Sequence, residues 1–249
     1  MTYILNHRKD GSGLSDAELN SNAVLFITAG SETTATTLSG LTYLLLQNPK
    51  ALRRVTEEVR ARFTSGEQIT ISAVQELPYL KATIAEGLRH FPPVPTGFER
   101  KVPAGGEVVS GYYLPEGTSV SVAHWAAYHS ERNFKNANAF VPERWMGDPT
   151  YENDKREWCQ PFSFGPRNCL GKVTLAYQCV VGDDCMADTK SQNLAYAELR
   201  LILAKLLWTF DLELAPSSAN WMERCKVKTL WVKPELSVYL TEVVRKADD

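Results

Sequence analysis

The segment from Phe162 to Gly171 constrains this chain more than any other part of its sequence, because it places one cysteine in a loop shaped by glycine and proline. Gly165 and Gly171 permit backbone conformations that bring amide N–H groups close to a sulfur, and Pro166 stiffens the turn between them. Hydrogen bonds from such amides tune a metal-bound thiolate. An inert core thiol is the usual state of a lone free cysteine. In this loop we instead predict a fixed, metal-binding thiolate at Cys169.

Three further side chains of the same loop favour a haem as the group that carries the metal. Arg167 lies two residues before the cysteine, where its guanidinium can reach an anionic propionate or stabilise the thiolate. Phe162 and Phe164 are expected to form an apolar wall that keeps water from the sulfur. A thiolate ligand turns haem iron into an oxygen activator. The loop is therefore interpreted as a haem-thiolate site.

The loop also resembles the haem-binding signature of the cytochrome P450 monooxygenases, Phe-x-x-Gly-x-Arg-x-Cys-x-Gly. Every fixed position of that signature is matched, by Phe162, Gly165, Arg167, Cys169 and Gly171. The resemblance implies that Cys169 is the axial ligand of the haem iron. It also implies that the other four residues belong to the haem-binding loop.

A second signature lies within a predicted long helix, in an apolar stretch from about residue 19 to residue 46. Ser15 and Glu18 form a capping box before it, and the pattern would span roughly 45 Å. Midway, a glycine is followed by hydroxyl side chains that compete for the helix backbone hydrogen bonds. By itself this segment is a polar helix surface, a close helix contact through small residues or a functional site. The resemblance implies that Gly30 leaves space above the iron and that Glu32 and Thr33 relay protons to bound dioxygen.

A third signature is the pair Glu86 and Arg89, which lie on one face of another predicted helix. A capping signal at Ser72 and Gln75 is expected to begin this helix, and two prolines end it. Alone, such a pair is a weak, solvated ion pair. In the cytochrome P450 family a Pro-Glu-Arg segment supplies a second arginine, which Arg144 matches here. The resemblance implies a buried ionic triad with a structural role.

Strand-like segments at residues 107–114 and 118–122, joined by a turn at residues 115–117, resemble the small β-sheet of the family. Arg100, just before them, matches a position where the family commonly places a second arginine against a haem propionate. Without that context Arg100 is a surface arginine. The tail from 226 to 244 predicts a hairpin around Lys233 and Pro234. The predicted fold class is mainly α with a small β-sheet, the C-terminal half of the cytochrome P450 fold.

Composition excludes several classes of protein. The 249 residues carry a net charge of −2 and are 44% hydrophobic, which is typical of a globular chain and gives no electrostatic case for nucleic-acid binding. Five cysteines without zinc-type spacing argue against a disulfide framework and suit a reducing compartment. No uncharged run reaches the roughly 20 residues that span a bilayer, so the chain as written is expected to be soluble. For full-length microsomal relatives the resemblance implies an N-terminal anchor in the endoplasmic reticulum membrane, with the domain on the cytosolic face.

The segment from residue 173 to residue 192 departs from the family pattern, in which Cys-x-Gly-x-x-x-Ala-x-x-Glu leads into a helix. Removing these residues brings Ala195 and Glu198 to the sixth and ninth positions after Cys169, as the pattern requires. We therefore interpret residues 1–249 as one partial cytochrome P450 domain with a non-native insertion at 173–192. A retained intron is the proposed origin of the insertion.

From the resemblance we expect a haem-thiolate monooxygenase that inserts one oxygen atom from O2 into an apolar small molecule in fungal secondary-metabolite biosynthesis. Its electrons would come from NADPH through NADPH–cytochrome P450 reductase. One alternative is a catalytically inactive truncated product or an incomplete gene model. Another is a haem-thiolate isomerase or dehydratase, against which the intact Glu32 and Thr33 argue.

Overall fold

The computed structural model describes residues 13–172 and 194–245. The predicted insertion at 173–192 lies outside the described residues. The helices of the described part are α1 (Asp16–Gln47), α2 (Pro49–Arg62), α3 (Pro78–His90), α4 (His124–Tyr128), α5 (Leu194–Thr209) and α6 (Trp221–Arg224). Short 3-10 turns connect them, at Gly66–Gln68, Ala73–Glu76, Pro142–Trp145, Pro149–Tyr151, Arg156–Trp158, Gly165–Arg167, Leu170–Lys172 and Pro216–Ser218. About half of the described residues lie in these helices and 3-10 turns, which confirms the predicted fold class.

Helix α1 has the predicted start and end. The Ser15 hydroxyl accepts a hydrogen bond from the Glu18 N–H at 3.3 Å, and the Glu18 carboxylate accepts one from the Ser15 N–H at 2.8 Å. This reciprocal capping box satisfies two N–H groups that have no partner within the helix. The helix then runs for 32 residues to Gln47, and Asn48 caps it immediately before Pro49.

The start of α3 differs from the prediction. Ser72 lies before a 3-10 turn, Ala73–Glu76, and the helix itself begins at Pro78. Proline suits the first helical position, because its fixed φ is preorganised and the missing N–H would have no partner there. The carboxylate of Glu58 on α2 accepts hydrogen bonds from the N–H groups of Tyr79 and Leu80, both at 2.8 Å. A cap from a distant helix thus replaces the predicted local one.

The core is formed by the C-terminal half of α1 packed with α2, α3 and α5. Two glycines allow α1 and α3 to approach closely. A Cβ added to Gly40 would lie 2.3 Å from the Cδ1 atom of Phe91, and one added to Gly87 would lie 2.7 Å from the Cδ1 atom of Leu41. The fully buried side chains around this crossing include Leu41, Leu45, Leu80, Ile84, Leu88 and Phe91.

The strands form antiparallel pairs and differ from the predicted hairpins. The pairs are β1 (Arg100–Lys101) with β4 (Ser119–Val120), β2 (Glu107–Val109) with β3 (Tyr112–Leu114), β5 (Phe210–Leu214) with β8 (Val238–Glu242), and β6 (Lys226–Val227) with β7 (Trp231–Val232). The predicted strand at 107–114 is two strands, because Ser110 and Gly111 both have positive φ, at 52° and 85°, and turn the chain between them. The C-terminal hairpin turns at 228–230 rather than around Lys233, and β8 pairs with β5 instead.

Among the described residues, no helix combines the length and the apolar character needed to cross a bilayer.

Candidate functional site

The cysteine loop is closed by its own backbone. The Cys169 N–H donates to the Phe162 carbonyl at 2.8 Å, and the Asn168 N–H donates to the Gly165 carbonyl at 3.0 Å. Gly165 has a φ of +81° and Ser163 a φ of +63°, both in the left-handed region. Because a side chain is strained there, Gly165 allows the turn at little cost. Cys169 therefore lies at a defined point between two 3-10 turns.

The sulfur of this loop is accessible on an apolar surface. The Cys169 side chain is exposed, and its neighbours Phe164 and Leu170 are 81% and 63% exposed. A Cβ added to Gly171 would lie 3.6 Å from the Cys169 sulfur, so the glycine keeps the space beside the sulfur open. Exposed apolar side chains around one ligand atom are typical of a surface that another group covers. The donor type and its surroundings fit the proximal side of a haem.

Of the other predicted haem-binding residues, Phe162 is packed against a helix, whereas Arg167 and Arg100 are exposed. The Phe162 ring packs against Tyr196 of α5 with centroids 5.1 Å apart, and so it anchors the loop to that helix. Arg167 is exposed. Arg100 is also exposed on β1, and its guanidinium donates to the Glu99 carbonyl at 3.0 Å. The propionate contacts of both arginines stay predictions.

The predicted oxygen-site segment lies in an unbroken part of α1. Ser31 and Thr33 each donate a 2.6 Å hydrogen bond from the hydroxyl to the carbonyl four residues earlier, at Ile27 and Ala29. These are the predicted competing bonds to the helix backbone. A Cβ added to Gly30 would meet no described atom within 4 Å. Among the described residues, a close helix contact therefore forms at Gly40 and not at Gly30.

Glu32 and Thr33 point to different partners. The Thr33 hydroxyl bonds to its own helix, whereas the Glu32 carboxylate forms an ion pair with Lys233, which follows β7. The hydrogen bond from Lys233 holds the pKa of Glu32 below its usual value, and partial burial opposes this shift. Lys233 was not predicted as a site residue. Its partner is 201 positions away, so no local sequence pattern indicates the contact.

Glu86 is the centre of a fully buried polar network. Its carboxylate accepts hydrogen bonds from Arg89 at 2.8 and 2.9 Å and from Arg144 at 3.1 Å. The indole N–H of Trp145 donates to it at 2.8 Å, and the Val141 N–H donates at 2.9 Å. The side chains of Glu86, Arg89 and Arg144 are 0% exposed. The structure thus brings the three predicted residues together away from solvent.

A fourth charged residue, Asp154, completes this network. Arg144 Nη1 donates to Asp154 Oδ2, and the other Asp154 oxygen accepts from the Lys135 N–H at 2.7 Å. The Asp154 side chain is 2% exposed. With Glu86 and Arg89, the four side chains carry two negative and two positive charges. Sequence reasoning missed Asp154, because an aspartate in a polar loop carries no local sign of burial.

Comparison with known proteins identifies the family. The family model for Cytochrome P450 matches residues 1–177. This chain belongs to the cytochrome P450 family. It is 51% identical over 248 residues to the cytochrome P450 monooxygenase traB of Penicillium crustosum, covering 98% of this chain and 45% of that protein. It is 48% identical over 245 residues to a trichothecene C-4 hydroxylase of Trichoderma arundinaceum, covering 95% of this chain and 45% of the relative.

A third relative is the cytochrome P450 monooxygenase lcsI of Purpureocillium lilacinum, 45% identical over 245 residues. The match covers 98% of this chain and 43% of that relative. The chain therefore spans less than half the length of these curated cytochrome P450 relatives. The family implies a haem cofactor, and the relatives are fungal monooxygenases by name.

Proposed function

We propose that this cytochrome P450 chain is the C-terminal part of a haem-thiolate monooxygenase that inserts one oxygen atom from O2 into an apolar small molecule. The observation that carries the proposal is the exposed Cys169 sulfur, held in the signature loop beside Gly171 and apolar side chains. A haem bound there supplies iron that a thiolate activates toward O2. Secondary-metabolite biosynthesis is the proposed context, supported by the trichothecene C-4 hydroxylase among the relatives.

The residues of the chain take separate roles in this proposal. Cys169 would bind the haem iron through its sulfur, and Phe162, Gly165 and Gly171 would shape the loop that holds it. Arg167 and Arg100 bind haem propionates, because guanidinium groups form strong hydrogen bonds with carboxylates. On α1, Gly30 leaves room on the oxygen side. Glu32 and Thr33 hold and move protons there, while Glu86, Arg89 and Arg144 stabilise the fold beside the loop.

The partners follow from the same proposal. The electrons come from NADPH through NADPH–cytochrome P450 reductase, and the substrate is an apolar small molecule. A membrane anchor in the N-terminal part of the full-length type holds the enzyme on the cytosolic face of the endoplasmic reticulum. The length of the relatives, more than twice the span matched here, supports a further N-terminal part.

We also propose that residues 173–192 are a non-native insertion. The family model stops matching at residue 177, within this segment. The residues that the family pattern requires next, Ala195 and Glu198, lie in α5. If retained, the segment adds Asp183 and Asp184 close in sequence to the thiolate, and these acidic residues would weaken haem binding. A mature transcript that keeps the corresponding nucleotides would contradict an intron origin.

A catalytically inactive truncated product is the second candidate, because the chain spans only 45% of its relative from Penicillium crustosum. We would place the N-terminal part of that relative before this chain, delete residues 173–192, and measure NADPH-dependent O2 consumption with the reductase. The monooxygenase proposal predicts consumption that Cys169→Ala abolishes and Cys159→Ala leaves unchanged. Haem binding without O2 consumption would indicate an isomerase or dehydratase. No haem binding at all would favour the inactive product.

A further inference from the structure

We propose that Lys233 is a positioning residue that holds the Glu32 carboxylate in an ion pair on the Thr36 side of α1, so that Glu32 exchanges protons only when this pair opens. The inference rests on the proposed monooxygenase function, in which Glu32 takes part in proton transfer. It adds Lys233, which lies near the C-terminus, to the residues Glu32 and Thr33 that are proposed to move protons.

The contact is a closed triangle of polar groups. Lys233 Nζ donates to Glu32 Oε1 and to the Thr36 hydroxyl, the latter at 2.7 Å. The Thr36 hydroxyl donates in turn to Glu32 Oε1 at 3.2 Å. Glu32 and Thr36 lie four residues apart on one helix face. The carboxylate oxygen thus accepts from both partners, and this holds it beside Thr36.

Lys233 is supplied by a rigid part of the fold. The indole N–H of Trp231, two residues before it, donates to the Pro92 carbonyl at 2.7 Å. The indole N–H of Trp221 donates to the carbonyl of Pro234, the next residue, at 2.9 Å. Trp231 and Trp221 are 8% and 0% exposed. The backbone on both sides of Lys233 is therefore held by buried side chains, which reduces the entropy lost when the ion pair forms.

Among the described residues, few charged groups other than the pair itself lie close to Glu32 and Lys233. Thr36 is 2% exposed, and the Lys233 side chain is 17% exposed. Cys225 lies close enough to interact with Lys233, and burial raises the pKa of its thiol, so it is neutral at neutral pH. Arg224 also acts on Cys225, and Glu198 of α5 approaches the Thr34 hydroxyl at 3.5 Å on a neighbouring part of α1. Within the described ranges, Lys233 is the cation in contact with Glu32.

The pair has a direct consequence for proton transfer. A carboxylate that accepts two hydrogen bonds, one from a cation, is ionised at neutral pH and carries no proton to donate. Glu32 must first separate from Lys233 and take up a proton from water. The Lys233 contact therefore sets when Glu32 can act, whereas Thr33 stays bound to its own helix carbonyl.

The test is a pH titration of Glu32 in the 249-residue chain, followed by carboxyl NMR after labelling glutamate with carbon-13. Glu32→Gln identifies the Glu32 signal by its loss. The proposal predicts a midpoint below that of an ordinary glutamate, an upward shift in Lys233→Met, and recovery of the low midpoint in Lys233→Arg. Lys228→Met removes an exposed lysine of the same segment and should leave the midpoint unchanged.

An ordinary midpoint in the unsubstituted chain would overturn the proposal, and so would equal midpoints in Lys233→Met and Lys228→Met. The first of these results needs no substitution at Lys233. The proposal can therefore be contradicted even if the Lys233→Met variant does not fold. The titration requires no haem. A low midpoint in this chain, together with a chimera that binds no haem, would therefore contradict the proposed function and leave the ion pair intact.

Discussion

At the scale of single residues, the interior of the chain holds paired charges. Glu86 and Asp154 supply two carboxylates, and Arg89 and Arg144 supply two guanidinium groups with side-chain exposures of 0 to 2%. Arg89 also donates to the carbonyls of Tyr128 and Ala137, both at 2.7 Å. Removing one charge from such a network leaves its partner buried and unpaired. The free energy lost in this way exceeds the net stabilisation that the ion pair provides.

Glu86→Gln is therefore expected to lower the free energy of unfolding by about 3–5 kcal/mol. The matched control is Glu76→Gln, whose partner Arg62 and own side chain are 49% and 68% exposed. A solvated pair of this kind contributes about 0.5 kcal/mol or less. Urea denaturation of both variants measures the difference. Equal losses would show that the buried network contributes no more than a surface ion pair.

His129 should make the stability of the chain depend on pH. Burial lowers its pKa from 6.5 to about 4, although its Nδ1–H donates to the Trp125 carbonyl at 2.9 Å. In the unfolded chain the imidazole takes up a proton near its ordinary pKa. The stabilisation from neutral His129 is thus fully present above pH 6.5 and is lost as the pH falls from there toward 4.

His129→Asn keeps an amide that can reach the same carbonyl and removes this titration. Between pH 6.5 and 4 the unfolding free energy of the variant should fall less steeply, by up to about 1.4 kcal/mol per pH unit. His90 and His124, whose pKa values burial also lowers, still titrate in both proteins. Thermal unfolding at several pH values gives the two slopes. Identical slopes would contradict a buried, neutral His129.

At the scale of secondary-structure elements, Gly40 and Gly30 of α1 differ in how much space surrounds them. A Cβ at Gly40 would lie 2.3 Å from a Phe91 ring carbon, whereas one at Gly30 would meet no described atom within 4 Å. Gly40→Ala is expected to destabilise the fold by about 1–3 kcal/mol through overpacking. Gly30→Ala should stabilise it by about 0.5–1 kcal/mol through helix propensity. Calorimetry that gives both substitutions the same sign would contradict this assignment.

The elements also show what local sequence can predict. The capping box of Ser15 and Glu18 and the Asn48–Pro49 boundary set both ends of α1, because all of their determinants are local. The predicted start of α3 was wrong, because the cap of this helix comes from Glu58 on another helix. The turn at 110–111 was missed, because serine is uncommon at the positive φ that Ser110 adopts.

The same limit applies to the candidate site. Glu86, Arg89 and Arg144 were named because the family pattern joins two distant segments. Asp154 and Lys233 lie in no such pattern, and each acquires its partner only when the chain folds. Burial and ion pairing over long sequence separations are therefore the part of this site that a single sequence does not carry.

At the scale of the whole molecule, the chain has an exposed apolar patch on α1, and its relatives are more than twice as long as the part that it matches. The N-terminal half of α1 exposes consecutive apolar side chains at Val24, Leu25, Phe26 and Ile27, between 57% and 72%. A patch of this kind is typical of a surface that another part of a protein covers. We expect the N-terminal part proposed for the full-length protein to cover it. A fluorescent apolar dye should bind this chain more strongly than the chimera that carries that part, and equal binding would contradict the coverage.

The central claim is that the Cys169 thiolate is the axial ligand of a haem. The most direct measurement is the absorption spectrum of the reduced, CO-bound chimera that lacks residues 173–192. The account predicts a thiolate-type Soret band that persists in Cys159→Ala and disappears in Cys169→Ala. A histidine-type band in the unsubstituted chimera, or a thiolate-type band that survives Cys169→Ala, would contradict it.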